Sequence, residues 1–259
     1  MQRFVLLLLF FLPLLSVSAQ DEESFPGSEV YRNLGAQVDL SLNFFDEDSN
    51  YVTLDELIDK PTVVSFVYYN CPGICTPLLS GVIDVFNRLD LEPGEDFEAL
   101  TLSFNELEGP TLAKAKKANY FKSLTREFPN EAWPWLSGKG RQIRKFTDKV
   151  GFKFIPSGKD FFHPPALIIL SPEGKVVRYF QSTSFSELDL RLALLEAQDS
   201  WGPTLTDSFL QMSFIYDADQ QRYVPNMWRI IIVGGLLFGV IFISLVRFIE
   251  RRRAKVTAA

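Results

Sequence analysis

Long apolar runs lie at both ends of the chain, and shorter apolar runs alternate with polar residues between them. The first run, residues 4–15, follows the positive charge of Arg3 and ends just before the small-residue triplet Val17-Ser18-Ala19. This pattern predicts a cleaved secretory signal peptide over residues 1–19. An uncleaved N-terminal anchor is the alternative, but the run is shorter than the ~20 residues that span a bilayer.

The second apolar run, residues 227–246, contains a single charge, Arg229. Twenty helical residues rise ~30 Å, which matches the hydrocarbon core of a bilayer. A basic tail, residues 247–259, follows the run, and such tails stay on the cytoplasmic side. We therefore expect a single-pass protein of the inner membrane, with residues 20–226 on the periplasmic side.

The apolar positions between residues 35 and 200 repeat with the periods of strands and helices in turn. Residues 62–68 are β-branched and aromatic, which predicts a fully buried strand. Residues 111–128 carry apolar positions at helical spacing, which predicts a helix. The remaining strands are predicted at residues 38–45, 51–53, 97–104, 133–136, 166–170 and 175–180, and the remaining helices at residues 53–58, 78–89, 139–150 and 185–198.

The order of these elements predicts an α/β fold with a mostly parallel sheet and helices on both faces. It is the order of a thioredoxin-like fold with an insertion, over residues 35–200, and this length suffices for one hydrophobic core. The pattern of residues 201–226 predicts no compact unit, and we interpret this segment as a membrane-proximal linker. Within it, residues 216–223 fit either a small hairpin or a plain spacer.

Charge and composition narrow the function classes. The chain carries a formal net charge of −6, and because its two ends are net basic, the region between them is more acidic still. An acidic exposed domain argues against nucleic-acid binding. The sequence contains two cysteines and one histidine. Two cysteines are too few for a scaffold held together by disulfides, so these three residues are the candidates for chemistry.

Both cysteines lie in the segment Cys71-Pro72-Gly73-Ile74-Cys75, between the buried strand and the next helix. Side chains four residues apart are neighbours on a helical turn, so the two sulfurs can form a disulfide or hold one metal ion. The helix N-terminus favours the thiolate form, which suits metal or redox chemistry. A structural disulfide or two buried thiols is the alternative, but the intervening Pro72 and Gly73 are unlike packing residues.

His163 stands before Pro164-Pro165 and the predicted strand 166–170. In a thioredoxin-like sheet this loop approaches the cysteine turn, so we expect the imidazole to join the two sulfurs as a third metal ligand. Two thiolates and one imidazole suit copper, as Cu(I) or Cu(II). Zinc remains an alternative if a carboxylate completes the site. Calcium and magnesium do not choose sulfur ligands.

The segment Ser65-Phe66-Val67-Tyr68-Tyr69-Asn70-Cys71-Pro72-Gly73-Ile74-Cys75-Thr76-Pro77 resembles the signature of the Sco/SenC family. His163, followed by residues 166–177, is similar to the histidine segment of that family. The resemblance implies a thioredoxin-like domain held at a membrane and copper bound by Cys71, Cys75 and His163. It also implies a role at the cytochrome c oxidase subunit that bears the dinuclear copper centre, either delivering copper or reducing the cysteines of that centre.

The chain departs from the family pattern at three points. A family Ser-(Ile/Val)-Asp-Pro segment is here Ser103-Phe104-Asn105-Glu106, and the position directly before the histidine holds Phe162 rather than Asp. The predicted anchor is C-terminal rather than N-terminal. Because the three ligands are intact, we expect the lost carboxylates to change the affinity or redox tuning of the site rather than abolish copper binding.

The leading hypothesis is a copper metallochaperone, which holds copper and passes it on by ligand exchange without catalytic turnover. The second hypothesis is a thiol-disulfide oxidoreductase, in which one of Cys71 and Cys75 attacks a disulfide and the other resolves the mixed disulfide. The CxxxC spacing counts against this second hypothesis, because such enzymes usually carry CxxC.

Overall fold

The computed structural model describes residues 30–198 and 205–257, with side chains described up to residue 249. The predicted signal peptide, residues 1–19, lies outside the described residues. The described residues form eleven strands and seven helices. In chain order these are β1 (Asn43–Phe45), β2 (Tyr51–Thr53), α1 (Leu54–Leu57), β3 (Thr62–Val67), α2 (Cys75–Arg88), β4 (Glu98–Ser103), α3 (Pro110–Phe121), β5 (Trp135–Leu136), α4 (Gly140–Lys149), β6 (Ile155–Ser157), β7 (Asp160–Phe162), β8 (Leu167–Leu170), β9 (Val176–Phe180), α5 (Glu187–Ala197), α6 (Leu205–Ser213), β10 (Phe214–Asp217), β11 (Arg222–Pro225) and α7 (Met227–Thr257).

The central sheet has five strands in the order β5-β4-β3-β8-β9. β4 is parallel to β3 and β5 is parallel to β4, whereas β8 is antiparallel to β3 and β9 is antiparallel to β8. The expectation of a mostly parallel sheet is therefore wrong, because half of the pairings are antiparallel. The tight turn after β8 requires this arrangement, with Gly174 at a φ of 79° and its N–H donated to the Ser171 carbonyl over 2.8 Å.

β3 lies at the centre of the sheet, and all six of its residues are buried, as predicted for this strand. Phe66 stacks on Phe152 with 4.9 Å between ring centroids and contacts Phe146 of α4 at 5.2 Å. Burying one such side chain contributes ~1.5–3 kcal/mol. The strand that leads into the cysteine turn is therefore held firmly on both sides by its neighbours β4 and β8.

Two elements differ from their predicted extents for identifiable reasons. The helix predicted at residues 111–128 ends at Phe121, because Asn87 binds the segment that follows. Its amide nitrogen donates to the Ser123 carbonyl over 3.0 Å, and its amide oxygen accepts the Thr125 N–H over 2.8 Å. The strand predicted at residues 38–45 is shortened to the three residues of β1.

Two structured segments are not predicted by the apolar pattern. The first is the β6–β7 hairpin, which turns at Gly158 with a φ of 66°. The second is helix α6, inside the segment interpreted as a linker. β10 and β11 pair as an antiparallel hairpin, in agreement with the hairpin alternative for residues 216–223.

The β10–β11 hairpin lies against the domain beside β9. Near its turn, the Gln221 side chain accepts the Gln181 N–H over 2.6 Å, and the Tyr216 hydroxyl donates to the Tyr179 carbonyl over 2.7 Å. At its base, α7 begins within two residues of β11. Within α7, Met227–Ile249 has a mean hydropathy of 2.5, so this one helix of the described chain is long and apolar enough to cross a membrane by length and composition.

Candidate metal centre

The two cysteines occupy the turn that joins β3 to α2. The turn begins where the Cys71 N–H donates to the Tyr68 carbonyl over 3.1 Å, and Cys75 is the first residue of α2. Cys75 is buried and Cys71 is half-buried, and both are free thiols. The strand-to-helix transition thus places one sulfur inside the domain and one at its surface.

His163 reaches the same point from the loop between β7 and β8. Its Nε2 lies 3.3 Å from the Cys75 Sγ, and its Nδ1 lies 3.2 Å from the carbonyl oxygen of Pro164. The sulfurs of Cys71 and Cys75 and one ring nitrogen of His163 all lie within 4.8 Å of one another. The structure therefore brings together the three residues that the sequence singles out.

The two thiols have opposite acidities. A hydrogen bond from the Cys75 thiol, followed by that from the His163 ring, lowers the pKa of Cys71 to about 3. The backbone N–H of Gly73, 3.4 Å from the Cys71 sulfur, acts in the same direction. The pKa of Cys75 is raised, first by its hydrogen bond to Cys71 and then by burial. Without metal, the site therefore holds one thiolate and one thiol at neutral pH.

Aromatic rings pack against one side of the imidazole. The His163 ring contacts Phe104 at 4.9 Å, Tyr68 at 5.9 Å and Phe152 at 6.1 Å between centroids. Burial raises the pKa of the Tyr68 hydroxyl, which donates to the Asp160 carboxylate over 3.3 Å. The rings restrict the orientation of the imidazole and shield that side of the site from water.

Glu108 supports the cysteine turn, although sequence reasoning does not single it out. This carboxylate is only 7% exposed. Its Oε1 accepts the Asn70 N–H over 2.9 Å, and its Oε2 accepts the Tyr69 N–H over 2.5 Å and the Ser103 hydroxyl over 2.6 Å. In sequence Glu108 resembles its exposed neighbour Glu106, so only the fold distinguishes the two.

The residues at which the chain departs from the family pattern have other roles. Asn105 stabilises its own loop, since its side-chain oxygen accepts the Leu107 N–H over 3.1 Å. Phe162 lies at the edge of the site and is 37% exposed. Two residues before it in the same hairpin strand, Asp160 supplies the carboxylate that binds Tyr68.

Comparison with known proteins agrees with this geometry. The family model described as SCO1/SenC matches residues 32–191. The chain belongs to the SCO1/SenC family. A Sco relative, the SCO1 protein homolog of Bacillus subtilis (strain 168), is 27% identical over 171 residues, which cover 63% of this chain and 83% of the relative.

Two solved structures share the Sco fold of this chain. A candidate electron transfer protein of Aquifex aeolicus VF5 aligns with a TM-score of 0.59 and 25% identity, covering 64% of this chain and 95% of its own. A candidate electron transport protein of the same organism aligns with a TM-score of 0.57 and 23% identity, covering 64% of this chain and 99% of its own. The thioredoxin-like α/β fold, with one C-terminal apolar helix, is confirmed.

The donor set of this Sco chain fits a copper ion. Two sulfurs and one imidazole are the soft and borderline ligands that copper accepts. Among the described residues, Cys71, Cys75 and His163 form the one group of three or more clustered metal-binding side chains. A site with a buried sulfur, a half-exposed sulfur and a half-exposed imidazole leaves one side open for exchange.

Proposed function

We propose that this chain is a membrane-anchored copper carrier for the assembly of cytochrome c oxidase, and that Cys71, Cys75 and His163 hold the copper. The Sco family is a family of cytochrome c oxidase assembly proteins. This supports cytochrome c oxidase as the protein that receives the copper. In this proposal residues 1–19 are a signal peptide and residues 35–200 are the copper-binding domain. Residues 227–246 span the inner membrane, with the domain on the periplasmic side and the basic tail, residues 247–259, in the cytoplasm.

The observation that carries the proposal is the convergence of three ligand atoms from two distant parts of the chain within 4.8 Å. His163 is the single histidine of the sequence, and it lies 3.3 Å from the buried sulfur of Cys75. Packing alone does not explain a histidine here, because a phenylalanine or tyrosine would pack equally well against the aromatic neighbours of this position.

The acidities of the two thiols define how the site accepts copper. Cys71 is already a thiolate and makes the first bond without releasing a proton. Cys75 must lose its proton to become a ligand, so loading releases one proton from the site. Release to a recipient follows the reverse order, because the half-exposed Cys71 and His163 can be replaced by ligands of another protein while Cys75 still holds the ion.

A copper titration of the full chain in detergent tests the proposal. We expect one Cu(I) per wild-type chain, and a loss of affinity of at least ~10-fold in His163→Ala, because one of three ligands is removed. Lys159→Ala is the matched control, since this exposed residue lies in the same hairpin, four positions before the histidine. Equal copper affinity in the wild type and in His163→Ala would remove the imidazole from the site.

The second candidate function, thiol-disulfide exchange with the recipient, is favoured by one observation. The half-buried sulfur of Cys71 lies within 4.8 Å of the buried sulfur of Cys75, which is the arrangement of an attacking and a resolving cysteine, and the lowered pKa of Cys71 suits the attacking role. The Cys71 thiolate would attack a disulfide of the recipient and expel its second sulfur as a thiolate. Cys75 would then give its proton to the expelled thiolate and attack the Cys71 sulfur, which breaks the mixed disulfide and releases the other sulfur of the recipient as a thiolate. Both cysteines of the recipient are then reduced, and this chain carries a Cys71–Cys75 disulfide.

The two functions respond differently to the same substitutions. If copper transfer is the function, His163→Ala and Cys71→Ser both impair loading of the oxidase copper centre. If thiol exchange is the function, Cys71→Ser abolishes reduction of a model disulfide, whereas His163→Ala retains most of it. Reconstituted transfer to an oxidase subunit in which the receiving cysteines are already reduced separates the two, because only copper delivery is then required.

A further inference from the structure

Helix α6 carries an apolar stripe that no other part of the described domain covers. Leu205 is 92% exposed and Phe209 is 50% exposed. They lie four residues apart, whereas Met212 is partly covered and lines a cleft beside Arg178 and Leu192 of the domain. Residues at this spacing share one side of a helix. We call the exposed side chains of Leu205 and Phe209 the α6 apolar face.

The opposite side of α6 is fixed to the domain. Asp207 is 1% exposed, and its carboxylate accepts bonds from the Arg191 guanidinium, at 3.1 Å from Nε and 2.6 Å from Nη2. Arg191 also pairs with Asp90 at 3.0 Å. Two charge-assisted hydrogen bonds to one buried carboxylate oxygen hold this side of the helix against α5, and so restrict the rotation of α6 about its own axis. The α6 apolar face therefore points away from the domain, because Asp207 on the opposite side of the helix is bound to Arg191.

The end of α6 lies at the start of the apolar helix α7. The Ser213 carbonyl accepts the Asn226 N–H over 2.7 Å, and Asn226 in turn caps α7 by accepting the Arg229 and Ile230 N–H groups. α6 contacts α7, and its nine residues rise ~13 Å, so its far end, Leu205, lies within roughly 20 Å of the first turn of α7. The polar interface of a bilayer adds ~5–8 Å on each side of the hydrocarbon core.

We propose that the α6 apolar face lies in the interface of the phospholipid bilayer beside α7. This inference rests on the proposed insertion of α7 into the membrane. α6 contains an aspartate and no lysine or arginine, so apolar burial, rather than attraction to anionic headgroups, holds it there. Trp228, 73% exposed in the first turn of α7, has the position of an interfacial aromatic residue.

This second contact gives the domain two attachments to the bilayer rather than one. A single helix would allow the domain to rotate and tilt about the point where α7 begins. With the α6 apolar face also embedded, the Asp207–Arg191 ion pair transmits that fixed orientation to the whole domain. The metal-binding turn is then presented to a membrane-bound recipient in one orientation.

The test uses photo-crosslinking in the full chain, reconstituted in nanodiscs of zwitterionic phosphatidylcholine. The photoreactive residue p-benzoylphenylalanine replaces one aromatic residue at a time: Phe209 in α6, Phe238 in the middle of α7, and Tyr51 in β2. Tyr51 is the matched control, because it is 63% exposed and sits in the hairpin that bridges to residue 137, just beyond β5 at the far edge of the sheet. Lipid adducts are quantified by mass spectrometry after irradiation at low and at high salt.

The expected result is a lipid adduct at positions 209 and 238, with a yield at 209 at least ~5-fold above that at 51 and unchanged by salt. Adducts at 238 without adducts at 209 overturn this inference and leave the membrane anchor intact. No adducts at 238 overturn the proposed anchor, and the inference with it. Crosslinks from 209 to a second copy of the chain, or equal yields at 209 and 51, also overturn the inference.

Discussion

Replacing Glu108 with glutamine tests whether this carboxylate holds the metal-binding turn in place. One oxygen accepts hydrogen bonds from two buried donors, the Tyr69 N–H and the Ser103 hydroxyl, and the other accepts one from the N–H of Asn70, whose side chain is exposed. Glutamine keeps the size of the side chain but offers only one acceptor oxygen and removes the charge. At least one of the three donors therefore loses its partner and faces an NH₂ group, and the two buried donors lose their bonds to a charged oxygen.

The magnitude follows from these contacts. A buried donor left without a partner costs ~1–3 kcal/mol, and loss of charge weakens the remaining bonds, which contribute ~1.5–3 kcal/mol each when one partner is ionised. We expect Glu108→Gln to lower the free energy of unfolding by about 2–4 kcal/mol, a large part of the ~5–15 kcal/mol of a typical domain. The Tyr69–Asn70 backbone precedes Cys71 directly, so a loss of copper affinity of ~10-fold or more is also expected.

Urea unfolding of the metal-free chain in detergent, followed by tryptophan fluorescence, measures the first effect, and competition with a Cu(I) chelator measures the second. Trp133 and Trp135 are buried and report on the domain. Glu106→Gln is the matched control, because Glu106 is exposed in the same loop and should change stability by less than ~0.5 kcal/mol. If Glu108→Gln unfolds at the same urea concentration as Glu106→Gln and binds copper equally well, the reasoning is wrong.

Three further predictions concern the site and the fold. Hydrogen bonds lower the pKa of Cys71 to about 3, so the rate at which iodoacetamide alkylates it in the metal-free chain should be nearly constant between about pH 5 and 8. A tenfold rise in that rate per pH unit would contradict this. Gly81→Ala places a Cβ 2.0 Å from the Thr183 carbonyl oxygen, so urea unfolding should show a loss of ~1–3 kcal/mol, whereas Gly109→Ala, with open space around it, should show a smaller change. Burial raises the pKa of Glu98 from 4.5 to about 7, so the native state binds this proton more tightly than the unfolded state does. The free energy of unfolding therefore falls as the pH rises from 4.5 to 7. In thermal unfolding, Glu98→Gln should be more stable than the wild type by on the order of 1 kcal/mol at pH 8 and equal to it at pH 4.

Much of the fold follows from local pattern, and what does not follow depends on tertiary contacts. β3 is recognisable because six consecutive buried positions require six apolar or small residues. The end of α3 is not recognisable, because the apolar spacing continues beyond Phe121 while the side chain of Asn87, from another helix, captures the backbone there. α6 is short and carries a buried aspartate whose partner, Arg191, lies in a different helix, so its own sequence gives little sign of a helix.

The candidate site shows the same division. The cysteines and His163 are identifiable because their side chains have few uses other than chemistry and because they are rare in this sequence. Glu108 is not identifiable, because the chain contains many exposed glutamates and only the approach of the β4–α3 loop to the cysteine turn buries this one. The aromatic surroundings of the imidazole are equally hidden, since Phe104 and Phe152 come from separate parts of the chain.

The β10–β11 hairpin also separates the metal-binding end of the sheet from the start of α7. Leu167 of β8, four residues after His163, pairs with Phe180 at the end of β9, and the hairpin turn meets the chain at Gln181, next to that same edge. The base of the hairpin, at the other end of four-residue strands ~13 Å long, leads into α7. If α7 spans the membrane as proposed, a recipient on the same membrane must therefore reach a site held about one hairpin length from the start of the span.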